Sequence, residues 1–146
     1  MLYRGPLAAL MFGGALAVSL LTVAPPAGAS GIVVKVSPAK GLKNGQTVKV
    51  VGSGLPVTTG GKKNAFFADE CNALVTGELT VADTPHCDVT LAKSLKVSKK
   101  GAFTTTFKVA TGTVGDGMCG VPGHLTCVIG VGDVAGQGTV AKITFK

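Results

Sequence analysis

The chain has 146 residues, with 14 lysines and arginines against 7 acidic residues, four cysteines and no tryptophan. After removal of a leader, a chain of this length forms one domain with one hydrophobic core and is too short for two domains of ordinary size. The net charge of +7 comes almost entirely from lysine, which suits diffuse attraction to anions, whereas reading base edges relies on the planar groups of Arg, Asn and Gln. The composition therefore argues against sequence-specific recognition of nucleic acids.

The first 29 residues have the organisation of a secretory signal peptide. Arg4 precedes an apolar run from Leu7 to Val23, and two prolines and the small residues of "AGA" follow this run. The run is shorter than the roughly 20 residues that a membrane-spanning helix needs. We therefore predict cleavage between Ala29 and Ser30, secretion, no membrane span after cleavage, and one mature domain over residues 30–146. An uncleaved N-terminal anchor is the alternative.

Hydrophobic residues in the mature domain recur with a period of two, in short runs that glycine-bearing turns separate. No window of ten or more residues has a helical stripe. The predicted strands in chain order are 32–36, 48–50, 65–75, 89–97, 103–109, 127–131 and 141–145. In the fourth of these, Val89, Leu91, Leu95 and Val97 would share one face. About seven short strands favour an all-β sandwich of two layers.

All four cysteines lie in the predicted mature domain. An exported chain with an even number of cysteines is expected to form disulfides, and four cysteines allow three connectivities. We favour the sequential pairs Cys71–Cys87 and Cys119–Cys127, because each bridge then closes a local loop without drawing distant strands together. A closed loop of about 15 residues contributes roughly 3 kcal/mol of stability.

Gly115, Gly117 and Gly120 have the spacing G-x-G-x-x-G, which is typical of dinucleotide-binding turns. In those turns a helix follows, and its N-terminal amides hold the pyrophosphate. Here the β-like run "LTCVIGV" follows, and the stretch contains cysteines and a proline. We interpret it as a glycine-rich disulfide loop.

Met118, Cys119, His124 and Cys127 are close enough in sequence to suggest a copper site. A blue-copper site uses two histidines, a reduced cysteine and a weak axial methionine. The chain has two histidines, each near a cysteine that we expect to be oxidised, and no C-x-x-C motif for zinc. We therefore predict no metal site.

The mature domain also offers few groups for catalysis. It has no G-x-S-x-G elbow, and Asp69 and Glu70 are neighbours that would face opposite sides of a strand. We predict no catalytic residues and no enzyme activity, which leaves a binding module or a structural surface domain.

Two segments resemble the neocarzinostatin family, the apoproteins of actinobacterial enediyne chromoproteins. The first, "VKVSPAKGLKNGQTVKVVGSGL", has the spacing V-x-P-x-x-G-L-x-x-G-x-x-V-x-V-x-G-x-G-L, and the second, "CVIGVGDVAGQGTVAKITF", is similar to the family's final hairpin. The four cysteines fall in the family's order. The resemblance implies an immunoglobulin-like, seven-stranded antiparallel β-sandwich with sequential disulfides.

The resemblance also implies a carrier and not an enzyme. Members bind a labile apolar enediyne chromophore without covalent attachment, in a cleft between the sandwich and its side loops. Such a carrier would be antimicrobial, and it would reach DNA only indirectly, through the released chromophore. The expected partner is thus a small apolar ligand, bound by a monomer. By position, the ligand-binding residues would be Phe67, Ala73, Leu91 and Ala92, with Gly115 and Gly117 in the rim loop.

The chain departs from the family's namesake in the aromatic residues of the cleft. Ala73 stands where the namesake has Trp, Ala92 stands where it has Phe, and the hairpin before the third cysteine is shortened to "ATGTVGDGM". The namesake is acidic, whereas this domain is basic. The alternative function is a secreted or cell-surface immunoglobulin-like module that holds no chromophore and contacts anionic polymers or the envelope through its lysines.

Overall fold

The computed structural model of the chain describes residues 31–135 and 137–146. The predicted signal peptide and its cleavage site lie outside these residues. Within the described part, no helix is long and apolar enough to cross a bilayer. The elements in chain order are β1 Val33–Ser37, β2 Thr47–Ser53, β3 Thr58–Thr59, β4 Lys62–Lys63, β5 Phe66–Asn72, β6 Glu78–Leu79, the 3-10 helices Val81–His86 and Val89–Leu91, β7 Lys93–Ser94, β8 Phe103–Lys108, β9 Gly112–Val114, β10 Gly117–Cys119, β11 Thr126–Asp133 and β12 Gly138–Thr144.

Two antiparallel sheets form the layers of a sandwich. β2 lies at the centre of a three-stranded sheet with the order β1-β2-β8, and β11 lies at the centre of a five-stranded sheet with the order β6-β12-β11-β5-β7. The β3-β4 hairpin and the β9-β10 ribbon pair separately. The predicted all-β, immunoglobulin-like sandwich is confirmed.

The core between the layers follows from the alternation of the strands. In β2, Val48 and Val50 are buried while Thr47 and Lys49 are exposed, since successive side chains of a strand point to opposite faces. Each such apolar side chain contributes about 1.5–3 kcal/mol when it is fully buried. The valines pack in one cluster with aromatic and aliphatic side chains of β8 and of the second layer: Phe66, Phe103, Phe107, Ile129, Val131 and Ile143.

A second, smaller cluster lies on the opposite face of the five-stranded sheet. It consists of buried Cys71, Val75, Cys87 and Val128, with Leu79 and Val140 packed against it. The six residues 127–132 of β11 are accordingly buried on both faces of the sheet. The segment between β5 and β7 therefore covers part of a sheet face that would otherwise be open to solvent.

The prediction of one continuous strand over residues 89–97 is wrong over most of its length. Val89–Leu91 forms a 3-10 turn, and β7 is limited to Lys93–Ser94. The Asp88 side chain accepts a hydrogen bond from the Thr90 amide at 3.0 Å and so stabilises the turn over a strand. Val89 and Leu91 are consequently exposed by 55% and 45%.

Candidate ligand cleft

A cavity of about 320 Å³ lies between the outer face of β5 and the segment that runs from β6 to β7. This volume is near the lower limit of small-molecule pockets, which range from about 300 to 1,000 Å³. The walls combine apolar side chains with a few polar ones from aspartate and threonine. The apolar residues are Phe67, Leu79, Val81, Val89, Ala92 and Val134.

The floor of this cleft is built by β5 and β11. Phe67 and Asp69 point into the cleft because the alternate residues of β5 face the core. Their partners across the ladder are glycines, Gly132 opposite Phe67 and Gly130 opposite Asp69. A Cβ on Gly130 would lie 2.7 Å from Asp69 Oδ1, and one on Gly132 would lie 3.0 Å from Leu79 Cδ2. The two glycines thus leave the space that the side chains of the floor occupy.

The segment that runs from β6 to β7 forms the side wall of the cleft, and it is fixed to β5 at two adjacent points. The disulfide Cys71–Cys87 joins the end of the first 3-10 helix to the strand. The next amide along the wall, that of Asp88, donates to the Glu70 carbonyl at 2.8 Å. One covalent and one hydrogen-bonded link therefore hold the wall beside the floor.

The β9-β10 ribbon supports this wall from outside the cavity. Asp116 Oδ1 accepts hydrogen bonds from Asn72 Nδ2 at 3.0 Å and from His86 Nδ1 at 2.7 Å, and the Asp116 amide donates to the Pro85 carbonyl at 2.8 Å. The hydrogen bond from His86 is the main cause that lowers the pKa of Asp116. Gly115 has a φ of +58°, and a Cβ there would lie 2.4 Å from the Pro85 carbonyl oxygen. Only glycine allows so close an approach.

Of the six ligand-binding residues predicted from the sequence, Phe67 and Ala92 line the cavity. Leu91 is exposed and lines a neighbouring groove between β7 and β8. Ala73 is exposed just beyond the end of β5. There Asn72 Oδ1 accepts a hydrogen bond from the amide of residue 74 at 3.0 Å, and the chain leaves the strand before Ala73 can face the cleft.

Gly115 and Gly117 belong to the ribbon and do not line the cavity. Gly117 packs against Asn72, since a Cβ there would lie 2.5 Å from Asn72 Nδ2. The stretch with G-x-G-x-x-G spacing contains the turn between β9 and β10 and the strand β10, and the next element is the strand β11. A dinucleotide site instead has a strand, a turn and a helix. The two local disulfides expected from the cysteine order, Cys71–Cys87 and Cys119–Cys127, are both present.

Four apolar wall residues were missed from the sequence: Leu79, Val81, Val89 and Val134. Leu79 and Val81 alternate with polar neighbours in "ELTV", and that short alternation was a usable signal for a shared face. Val134 lies in the turn between β11 and β12, where no periodicity exists. Its position at the rim depends on that hairpin turn.

Asp69 and Glu70 face opposite sides of β5, as their adjacency predicted. Burial raises the pKa of Asp69 to about 6, and repulsion from Asp88 acts in the same direction. On the core side, burial raises the pKa of Glu70 to about 7, although a hydrogen bond from the Ala110 amide at 2.8 Å opposes the shift. The five-stranded sheet therefore carries a carboxyl group of raised pKa on each of its faces.

Two groups of side chains place a carboxylate near two sulfur atoms. Asp69 lies beside the Cys71–Cys87 bridge, and Glu70 lies beside the other bridge, with Oε1 3.2 Å from Cys119 Sγ. In both groups the sulfurs are joined in a disulfide. Zinc and copper bind the thiolate form of cysteine, so these groups are not a metal-ligand set.

The chain is similar to known proteins over most of the described domain, although no family model matches it. Macromomycin from Streptomyces macromomyceticus is 30% identical over 116 residues, which are 77% of this chain and 75% of the relative. The solved structure of macromomycin has a TM-score of 0.55 and 29% identity, over 79% of this chain and 99% of that one. The solution structure of apokedarcidin has a TM-score of 0.50 and 28% identity, over 79% and 98%. With this identity over these shares of both chains, and with this fold, the chain belongs to the neocarzinostatin family of enediyne chromoprotein apoproteins.

Proposed function

We propose that residues 30–146 form a secreted, non-enzymatic carrier that holds a small apolar ligand in the cleft without covalent attachment. The observation that carries the proposal is an apolar cavity on a sheet face, with Val81 and Val134 exposed by 61% and 80% at its rim. Exposed apolar side chains grouped around a concave site are typical of ligand-binding surfaces. Membership of a chromoprotein family supports the same role.

The side chains of the cleft favour carriage over catalysis. Among the described lining residues, the acidic side chains are Asp69 and Asp133, and Cys87 is held in a disulfide. Asp133 Oδ1 accepts hydrogen bonds from the amides of Ala135 and Gln137 at 2.9 and 3.0 Å, so this carboxylate holds the hairpin turn. Covalent catalysis needs a nucleophile, a base and a group that orients the base. The lining residues do not supply that set.

The proposed ligand is mainly apolar and makes its aromatic contact with Phe67. Ala92 widens the wall where the family's namesake has Phe, and the exposed Ala73 lies outside the cavity. An aromatic side chain buries 150 Å² or more, which is about 4 kcal/mol at roughly 25 cal/mol per Å². An enediyne-like chromophore is the specific form of the proposal. In that form the protein is an antibiotic carrier, and DNA is reached only through the released chromophore.

Extraction of the native protein tests the carrier function. The protein is purified from culture medium and extracted with organic solvent, and the extract is added back to stripped protein. We expect a small molecule whose return raises the melting temperature. The variant Phe67→Ala should reduce the rise, while Val33→Ala, on the outer face of the three-stranded sheet, should keep it. An empty extract together with an unchanged melting temperature would contradict carriage.

A second function, binding of an anionic polymer, is favoured by the separation of charges along the chain. Residues 31–68 and 89–115 contain eleven lysines and no acidic residue, and all seven acidic residues lie elsewhere. Lys35, Lys49 and Lys108 are exposed on the outer face of the three-stranded sheet. We propose that this face binds a polyanion. Retention on heparin resin should fall steeply with added salt and should not depend on Phe67.

A further inference from the structure

We propose that the ligand carried in the cleft bears a protonated amine and that the Asp69 carboxylate in the cleft floor binds it. The inference rests on the proposed carrier function and adds the charge of the ligand to it. The net charge of the chain is +7. The Asp69 carboxylate gives the cleft floor a negative charge, which is opposite in sign to the net charge of the molecule.

Asp69 lies near the middle of β5, opposite Gly130 of β11. Because Gly130 has no side chain, the carboxylate occupies the space directly over the ladder, where a Cβ would come within 2.7 Å of Oδ1. Oδ1 also lies 3.7 Å from Cys71 Sγ, a disulfide sulfur that has no hydrogen to donate. Phe67, two residues earlier in the strand, lines the same floor. A ring and a carboxylate side by side match an apolar or aromatic group that carries a cation.

The Asp69 carboxylate has no cationic partner in the described part of the chain. The one ion pair within residues 31–135 and 137–146 joins His86 to Asp116, in the ribbon behind the wall. The neighbouring carboxylates are used in local structure, since each accepts a hydrogen bond from a backbone amide: Asp83, Asp88 and Asp133. Asp69 interacts with its own backbone amide and holds no turn, so its carboxylate remains available to a ligand.

The surroundings of Asp69 determine which ligand charge it accepts. Burial raises its pKa to about 6, with Asp88 acting in the same direction, so at neutral pH the group is ionised but poorly solvated. A neutral ligand would strip more water from the charge, and an anionic ligand would add repulsion. A protonated amine replaces the lost water with an ion pair. The cleft should therefore prefer a cation to a neutral ligand and a neutral ligand to an anion.

Three probes of the same aromatic skeleton test this order: naphthylmethylamine, naphthalenemethanol and naphthoate. Binding to the mature protein is measured by fluorescence and calorimetry at about pH 8, where Asp69 is ionised. We expect the amine to bind about tenfold more tightly than the alcohol, as is typical of a hydrogen bond to a charged group. Naphthoate should bind most weakly.

Variants assign the preference to one carboxylate. Asp69→Asn should bring the amine and the alcohol to within about threefold of one another by removing the charge-assisted bond. Glu78→Gln, on the exposed β6 edge beside the cleft, removes the same charge and should keep the preference. Gly130→Ala should reduce the preference, because its Cβ displaces the carboxylate. If that variant does not fold, the comparison of Asp69→Asn with Glu78→Gln still decides.

Proton linkage gives an independent readout. At about pH 6 an ion pair lowers the pKa of Asp69, so binding of the amine should release protons, whereas binding of the alcohol should take them up. Calorimetry in two buffers of different ionisation heat measures the difference, and Asp69→Asn should abolish it. The other carboxylates that face Asp69 from packed elements, Asp88 and Asp133, remain in that variant.

The outcomes separate this inference from the carrier function. Carriage stands if the alcohol binds and Phe67→Ala weakens that binding. The cation inference is overturned if the amine does not bind more tightly than the alcohol, or if it still does so in Asp69→Asn. If Glu78→Gln removes the advantage, the assignment to Asp69 is also overturned. If none of the probes binds in a way that depends on Phe67, both proposals fall.

Discussion

The outer faces of the two sheets come from the same alternation and have opposite characters. On the three-stranded sheet the outward residues of β2 and β8 are mainly threonine and lysine, and they meet solvent. On the five-stranded sheet the outward side chains of β5 are Phe67, Asp69 and Cys71, and a disulfide-linked segment covers part of them. The cleft therefore depends on the segment that covers the outer face of β5, and the alternation of the strand alone does not determine it.

The same comparison separates the charges of the molecule. The layer formed by β1, β2 and β8 contains lysines and no acidic residue, whereas β5 alone contributes Asp69 and Glu70. One face should thus attract anions while the cleft on the other layer attracts cations. Long-range attraction of this kind is screened within about 8–10 Å at ordinary salt, so the two sites can act separately on one small domain.

Removal of the disulfide Cys71–Cys87 should have the largest effect on the difference between the two sheet faces. In the double variant Cys71→Ser with Cys87→Ser, we expect a loss of about 4 kcal/mol in the free energy of unfolding, of which roughly 3 kcal/mol is loop closure. Urea unfolding measures the loss. Binding of naphthalenemethanol should disappear as well, because the wall is no longer held beside β5. Retained binding with reduced stability would show that the wall stays in place without the disulfide.

A methyl group at the ribbon should disturb the wall from behind. In Gly115→Ala the Cβ would lie 2.4 Å from the Pro85 carbonyl oxygen at a φ of +58°, and we expect a loss of about 3 kcal/mol. Gly123→Ala is the matched control, since its φ is +86° and no atom lies within 4 Å of the added group. The control should lose only about 1 kcal/mol, from backbone strain. Equal losses in thermal or urea unfolding would contradict the contact with Pro85.

Glu70→Gln should change how stability depends on pH. The pKa of Glu70 rises from 4.5 when unfolded to about 7 when folded, chiefly through burial, so its contribution to stability is complete below about pH 4.5 and is lost as the pH rises through about 7. The free energy of unfolding of Glu70→Gln, relative to that of wild type, should therefore rise by about 2–3 kcal/mol when the pH is raised from roughly 4 to roughly 8.

The matched control for Glu70 is Glu78→Gln, because Glu78 is exposed on β6. It should differ from wild type by less than about 0.5 kcal/mol at both pH values. Unfolding by urea at each pH measures both differences. An unchanged difference between Glu70→Gln and wild type would mean that the buried carboxyl does not titrate with folding.

The strands that could be predicted from the sequence are those with one buried and one exposed face. Val48 and Val50 in β2 and Phe103 and Phe107 in β8 follow a strict alternation, and each lies in the core. The cysteine order also led to the sequential disulfides that the structure contains. The buried strand faces and the disulfides both depend on residues that are close together in the sequence, so short sequence patterns were enough to predict them.

The cleft could be predicted only in part, because loops supply most of its walls. Phe67 was accessible through the strand pattern, but Val134 depends on the shape of a hairpin turn. The family resemblance predicts Ala73 in the cleft, but the turn at Asn72 takes it to the surface. The strand predicted at residue 89 became a 3-10 turn through the Asp88 side chain. A side-chain hydrogen bond of this kind competes with strand pairing and leaves no periodicity to detect.

The smallest expected effect on stability is on the lysine face. Lys49→Gln with Lys108→Gln should change the free energy of unfolding by less than about 0.5 kcal/mol, because both side chains are exposed on strands whose other faces hold the core. Retention on heparin resin should nevertheless weaken, with the salt dependence of binding reduced by about two counterions. Lys142→Gln with Lys146→Gln, in and after β12, removes the same charge from the other layer. If the two pairs weaken retention equally, binding follows net charge and not the three-stranded face.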